Sequence, residues 1–210
     1  MKITLIKPSM IDGPSGDAIE PLALGILAAL TAPDIELRMF DERIEAIDFN
    51  APADLVAITC DTYAARRSYQ IAAQYRERGV PVVLGGCHPT LCTTEALQYC
   101  TTVVVGDAED TWPAIIQDAR QNKLKRIYRS QWPEIENLRV DRSIFAGKKY
   151  GPMRLVQFGR GCPHGCDFCS IHALYGHRIR YRGLEQVLAE IRELESRGII
   201  FTDDNFFANK

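Results

Sequence analysis

The run Leu55-Val56-Ala57-Ile58-Thr59-Cys60 is apolar without a break. It is too short to span a bilayer and too evenly apolar for a strand with one wet face. It therefore reads as a parallel strand covered on both sides. Such a strand needs helices above and below it, and its neighbours supply the alternation. Lys2-Ile3-Thr4-Leu5-Ile6-Lys7 is a strand ended by Pro8, and residues 9–17 form a loop rich in glycine and proline. Glu20-Pro21 opens a helix with proline in its first turn. It runs through Leu22, Leu24, Ile26, Leu27 and Leu30, apolar nearly all round and so buried. Further strands are expected at 36–40, 81–84 and 102–105. Helices are expected at 62–78, stopping at Gly79, around 95–99, and from about 109 to 121, anchored by Trp112-Pro113. Five strand–helix repeats predict a doubly wound parallel sheet with right-handed crossovers.

Sheets of this kind bind ligands over the carboxyl ends of their strands. Those ends carry residues 9–16, 60–63, Gly85-Gly86-Cys87-His88-Pro89-Thr90 and 106–109, with glycines where a bulky ligand can approach the backbone. No G-x-G-x-x-G loop is present, which argues against a dinucleotide. The sheet pattern alone leaves cobalamin, a nucleotide and no ligand all open.

Three of the seven cysteines lie in Phe158-Gly159-Arg160-Gly161-Cys162-Pro163-His164-Gly165-Cys166-Asp167-Phe168-Cys169, spaced C-x3-C-x2-C. Three thiolates from one loop can ligate three irons of a cubane cluster and leave the fourth open. Gly159, Gly161 and Gly165 permit the wrapping, and Pro163 stiffens the first turn. A structural zinc site normally uses two C-x2-C knuckles, and no second pair exists. Zinc held by two of these cysteines with His164 or His172 stays open as an alternative. The odd cysteine count and the absence of a signal peptide disfavour a disulfide framework. The remaining Cys60, Cys87, Cys92 and Cys100 read as small buried hydrophobes or idle thiols. Tyr63, Tyr69 and Tyr75 read as packing and rim residues.

With Phe168 ahead of its last cysteine, the loop resembles the signature of radical S-adenosylmethionine (SAM) enzymes. The resemblance implies that Cys162, Cys166 and Cys169 hold a [4Fe-4S] cluster, that SAM chelates the open iron, and that Phe168 sits by the adenine. The run 85–90, with Gly106-Asp107-Ala108-Glu109 and Trp112-Pro113, resembles the cobalamin-binding domain joined to such enzymes. That likeness covers about residues 1–128 and implies Gly85, Gly86 and His88 as cofactor-contacting positions. The loop after the first strand lacks the D-x-H-x-x-G histidine that ligates cobalt in many such domains. His88 is the domain's single histidine, and the default reading of a loop histidine is hydrogen bonding.

Periodicity fades from residue 130 to about 150, where Trp132-Pro133 and residues 147–152 mark a linker, taken as 129–151. Residues 120–182 hold fourteen Lys/Arg against four Asp/Glu, which reads as a solvated face, as a counter-charge to a cluster and the SAM carboxylate, or as a nucleic-acid surface, the last disfavoured by sparse aromatic interleaving. Met153-Arg154-Leu155-Val156-Gln157-Phe158 is a strand feeding the cysteine loop, as in barrel enzymes. Leu184, Val187, Leu188, Ile191 and Leu194 then form a helical stripe capped by Gly198. A strand at 199–202 runs into Asp203-Asp204-Asn205. The family resemblance places a SAM-contacting motif there, with Asp204 favoured over Asp203 and a helix or turn cap as the bland reading.

The expected whole is an α/β chain. A doubly wound, Rossmann-like cobalamin-binding domain (1–128) and a linker (129–151) precede the first part of a radical SAM (β/α) partial barrel (152–210). The resemblance implies an enzyme that cleaves SAM reductively, with cobalamin-dependent methyl transfer to an unactivated carbon. The alternatives are a cyclase or rearrangement enzyme, and a non-catalytic cobalamin or iron–sulfur sensor. One strand–helix unit and a second strand cannot close a barrel, so the chain is expected to be the first portion of a longer enzyme or to be completed by a partner. No catalytic residue is assigned. A small-molecule substrate and a reductant such as flavodoxin or ferredoxin are the expected partners. A net charge of −2 gives no nucleic-acid footprint, no apolar run spans a membrane, and free thiols with an oxygen-sensitive cluster point to the cytoplasm.

Overall fold

The computed structural model describes residues 1–11, 13, 15, 16, 18–195 and 197–208. Asp12, Pro14 and Asp17 of the first glycine-rich loop lie outside the described residues. Six strands form one parallel sheet: β1 (Lys2–Lys7), β2 (Glu36–Asp41), β3 (Leu55–Thr59), β4 (Val82–Gly85), β5 (Thr102–Val105) and β6 (Ile127–Arg129), in the order β2-β1-β3-β4-β5-β6. The crossover helices are α1 (Leu22–Ala29), α2 (Ala65–Glu77), the short pair α3 (Cys87–Leu91) and α4 (Thr93–Ala96), and α5 (Trp112–Arg120).

Strict alternation along each strand explains the two covered faces. Ile3, Leu5, Leu55, Ala57, Val83 and Val104 pack with Leu24 of α1 and Trp112, Ile115 and Ile116 of α5. Their neighbours Ile6, Val56, Ile58, Val82, Leu84 and Val103 pack with Ile71, Ala72 and Tyr75 of α2 and with Ala96. Trp112 anchors α5 as expected, and its Nε1–H donates to Thr31 Oγ1 at 3.0 Å.

Several local expectations change. The sheet has six strands where five were expected, because β6 is too short to show alternation. Residues 87–91, expected to be a rim loop, are helical, and the helix expected around 95–99 is α4. The strand expected over 153–158 stops at β7 (Met153–Val156), and a separate strand, β8 (Gly159–Gly161), follows it. After α6 (Ser170–Tyr175) comes β9 (Ile179–Tyr181), which pairs antiparallel with β8. Next, α7 (Leu184–Glu193) ends without Gly198, which instead opens β10 (Gly198–Phe201). A Cβ on Gly198 would lie 2.8 Å from Met153 Cε, so this glycine serves the parallel β7–β10 contact.

The stretch 129–151 packs on the sheet domain rather than hanging free. Phe145 joins the α1–α5 core, while Ile135 and Leu138 pack on Ile26. A Cβ on Gly25 would stand 2.6 Å from Val140 Cγ1, so glycine lets this stretch lie directly on α1. Among the described residues no helix is long and apolar enough to cross a membrane.

Burial of Cys60 and Cys100 gives a testable pH dependence. Desolvation raises each thiol from 9.0 to about 11. The folded state thus keeps protons that the unfolded chain releases, so this stability is complete below about pH 9 and is lost as pH rises through about 11. The expected loss is on the order of 2 kcal/mol per thiol. Thermal midpoints measured from pH 8 to pH 11 should fall, and Cys100→Ala should flatten that slope relative to the natural chain.

Candidate cofactor cleft and cysteine loop

The carboxyl ends of β3, β4 and β5 open into a cleft enclosing about 950 Å³ between atoms, some of it open to solvent. Ala23, Leu24 and Leu27 of α1 form one wall, and Ala57, Val83 and Val104 form the floor. Gly85, Gly86 and Gly106 lie at the mouth, with Trp132, Arg160 and Tyr175 above them. Gly86 has φ +112°, and a Cβ there would sit 2.8 Å from Cys60 O, so the backbone turns here at a spacing only glycine permits. Of the three rim positions singled out in the sequence, Gly85 and Gly86 line the cleft. His88 does not: it is buried on the other side of its helix, with Nε2 3.0 Å from the Tyr69 hydroxyl of α2.

Beside the cleft, at the ends of β1 and β3, Asp61 gathers three donors. Lys7 Nζ forms an ion pair with Oδ2, the Tyr63 hydroxyl donates to Oδ2 at 2.8 Å, and the Cys87 thiol donates to Oδ1 at 3.8 Å. Burial alone would raise the Asp61 carboxyl, but the Lys7 ammonium outweighs it and holds the group below the usual carboxylate range. Partial burial of the mostly exposed Tyr63, with Asp61 as neighbour, raises its phenol to about 12.

The cysteine loop leaves β8 directly. Gly161, the last residue of β8, has φ +95°, and a Cβ there would lie 2.1 Å from the Arg178 carbonyl oxygen, against β9. Glycine is thus required one residue before Cys162. Asp203 and Asp204, which follow β10, tie the same segment from the other side. The Asp203 carboxylate accepts from Phe158 N at 3.0 Å and from Gly159 N, and Asp204 Oδ2 accepts from Gly161 N at 2.7 Å. The carboxylates therefore cap the approach to the loop rather than a helix. Partial desolvation raises the Asp204 carboxyl. Asn205 Nδ2 lies 3.5 Å from Cys162 Sγ, an amide donor facing a sulfur.

Cys166 is exposed, Cys162 and Cys169 are half-buried, and the Phe168 ring is 93% exposed. Among the described residues neither His164 nor His172 converges with two of these thiols within 4.8 Å. His177 Nδ1 instead lies 3.0 Å from Pro163 O, and the His172 and His177 rings meet at 4.7 Å.

Sequence reasoning missed the tie between cleft and loop. Arg160, next to the cysteine loop and 9% exposed, reaches the β5–α5 turn, with Nη1 2.9 Å from Asp107 Oδ2 and 2.7 Å from Glu109 Oε1. Arg180 of β9 pairs with the same Asp107 oxygen at 2.7 Å, and its guanidinium lies 5.7 Å from the Trp132 ring and 5.5 Å from Tyr175. Burial opposes the charge on Arg160, but Glu109 and Asp107 outweigh it and raise its pKa. A second group binds Arg142 to Glu20 and Glu190, Arg154 to Glu20, and Arg182 to Glu190. Most of the partners of the basic stretch are thus acids from outside it. The excess of fourteen cations over four anions was the signal that could have revealed this.

Comparison with known proteins finds the following likenesses. Residues 23–116 match the B12 binding domain family. The chain is 34% identical to the bacteriochlorophyllide d C-12(1)-methyltransferase of Chlorobaculum tepidum, over 93% of this chain and 46% of that protein. It is 27% identical to the hopanoid C-2 methylase of Rhodopseudomonas palustris, over 90% of this chain and 38% of that protein. The chain spans less than half the length of these curated relatives. Its fold is shared with the radical S-adenosylmethionine methyltransferase TsrM from Kitasatospora setae. The TM-score is 0.73 at 16% identity, covering 98% of this chain and 48% of that one.

Proposed function

We propose that this chain, which matches the B12 binding domain family over residues 23–116 and resembles two bacteriochlorophyllide d methyltransferases, places a cobalamin-binding domain ahead of a radical SAM domain and serves a cobalamin-dependent methyltransferase acting on an unactivated carbon of a small molecule. Residues 1–128 form the cobalamin unit, 129–151 the linker, and 152–210 the start of the radical SAM barrel. The relatives' named activities, methylation of bacteriochlorophyllide d and of hopanoids, support methyl transfer over cyclisation. The observation that carries the reading is the Arg160 tie, which joins the loop bearing three thiols to the rim of the cleft.

The donor set fits a [4Fe-4S] cluster held by Cys162, Cys166 and Cys169. The thiols share one loop, its approach requires glycine at 161, and the Asn205 amide can donate to a thiolate sulfur. Phe168 presents a free ring face for adenine. Asp204 is the better candidate for the SAM ammonium. Asp203 has both oxygens on backbone N–H groups, whereas among the described residues Asp204 uses Oδ2 alone. The glycine mouth and apolar walls suit a bulky cofactor such as cobalamin, with Gly85 and Gly86 at its edge and no histidine facing the cleft. Bound there, the cluster supplies the electron that splits SAM and cobalamin supplies the methyl carrier. A small reductant such as flavodoxin or ferredoxin and a cytoplasmic location complete the proposal, since an exposed loop of thiols needs reducing surroundings.

Anaerobic reconstitution should load about four irons per chain with broad visible absorption, and Cys166→Ala should lose that signal. With reductant, cobalamin and SAM carrying a deuterated methyl group, the intact gene product should form 5′-deoxyadenosine and a labelled product. Iron loading without 5′-deoxyadenosine would make the protein a sensor and overturn the proposal. Turnover that is indifferent to cobalamin would remove methyl transfer.

A further inference from the structure

We propose that His88, Cys92 and Glu95 form a binding site for a zinc-class divalent ion, with the phenolic oxygen of Tyr69 as fourth donor. The site stands apart from the cofactor cleft and the cysteine loop. His88 Nε2, Cys92 Sγ and a Glu95 carboxylate oxygen all lie within 4.8 Å of one another, and Nε2 and Oε1 are 3.6 Å apart. The Tyr69 oxygen is 3.0 Å from both. Zinc bonds of about 2.0–2.3 Å place the corners of a tetrahedron roughly 3.3–3.6 Å apart, so the His88–Glu95 pair already stands at such an edge, Tyr69 would open slightly from both, and Cys92 would close from at most 4.8 Å. Imidazole, thiolate and carboxylate together suit zinc and not magnesium or calcium, which take oxygen alone.

His88 lies on α3, four residues before Cys92, and Glu95 on α4, three residues after it. Cys92 occupies the break between α3 and α4, with φ −117° and ψ 46°, so both short helices contribute to one point. Tyr69 is supplied by α2, held in place by stacking on Tyr99 with ring centroids 4.0 Å apart. A hydrogen-bonded relay accounts for part of this: Tyr69 donates to Glu95 and accepts from His88. The relay leaves the Cys92 thiol with no hydrogen-bond partner among the described residues, and a metal ion gives that sulfur a role. Cys87 and Thr90, on the same helix as His88, line the cleft. An ion here would therefore pin the helix at the cleft mouth to α2 and stiffen the mouth without touching its contents.

The test is anaerobic titration with cobalt(II) as the spectroscopic substitute for zinc. The full chain is used with Cys162, Cys166 and Cys169 replaced by alanine, so that the loop thiols do not compete. One equivalent should give the intense visible bands of tetrahedral cobalt and a thiolate charge-transfer band in the near ultraviolet. Zinc should bleach both and raise the thermal midpoint by several degrees. Adding Cys92→Ser should remove the charge-transfer band, and adding His88→Gln should weaken binding at least tenfold. Should the triple alanine chain fail to fold, the difference spectrum between the natural chain and Cys92→Ser gives the same information, because the loop contribution cancels. Pale octahedral cobalt, or bands unchanged by Cys92→Ser, would leave a hydrogen-bond relay only and overturn the proposal.

Discussion

Gly161→Ala is expected to abolish iron loading as completely as Cys166→Ala while leaving the six-stranded sheet folded. Two effects act together at this position. A left-handed conformation costs a residue with a Cβ about 1–2 kcal/mol. The new methyl group would also lie 2.1 Å from the Arg178 carbonyl oxygen, and only backbone movement can relieve that contact. Parting β8 from β9 is the available relief, and it displaces Cys162 on the next residue. The measurement is iron per chain after anaerobic reconstitution, alongside circular dichroism and cobalamin retention. Full iron loading by the alanine variant would mean that the β8–β9 pairing does not position the loop.

Asp107→Ala should be the most destabilising single change at the junction. It removes the carboxylate shared by Arg160 and Arg180, which are 9% and 5% exposed, and leaves Glu109 alone against two buried guanidinium groups. Breaking a buried pair by deleting one partner costs about 3–5 kcal/mol, because the survivor keeps an uncompensated charge. For a chain of this size that corresponds to a fall of roughly 10 °C in thermal midpoint. Adding Arg180→Met should restore part of the loss by removing one orphaned cation. The double variant thus separates charge from packing. Cobalamin retention should fall with Asp107→Ala as well, since Arg160 and Tyr175 overhang the cleft. A shift within 1–2 °C would show that water screens the cluster as it screens surface ion pairs.

Much of the fold was legible because its signals are local. The apolar run at 55–60 reported a strand covered on both faces, and α1, α2 and α5 showed signs of their own, whereas α3 did not. The failures came where the local signal was short or ambiguous. β6 has three residues, too few for alternation to show. Gly198 looked like a helix stop but serves a close contact with Met153, a residue 45 positions earlier that the local pattern could not reveal. His88 was legible as a rim residue, yet its side chain faces α2 because the rim there is helical.

The residues alone determined that this chain forms a doubly wound sheet followed by a strand leading into three closely spaced thiols. Periodicity and cysteine spacing act within a dozen residues, and a reader of the chain sees them at once. Only the tertiary structure decided where the charges go. In one dimension the basic stretch could be a solvated face or a counter-charge to a cluster, but packed against the sheet its guanidinium groups pair with Glu20, Asp107 and Glu109. Pairing between residues dozens of positions apart depends on which surfaces the hydrophobic cores bring together, and neither the composition nor the order of the chain states that.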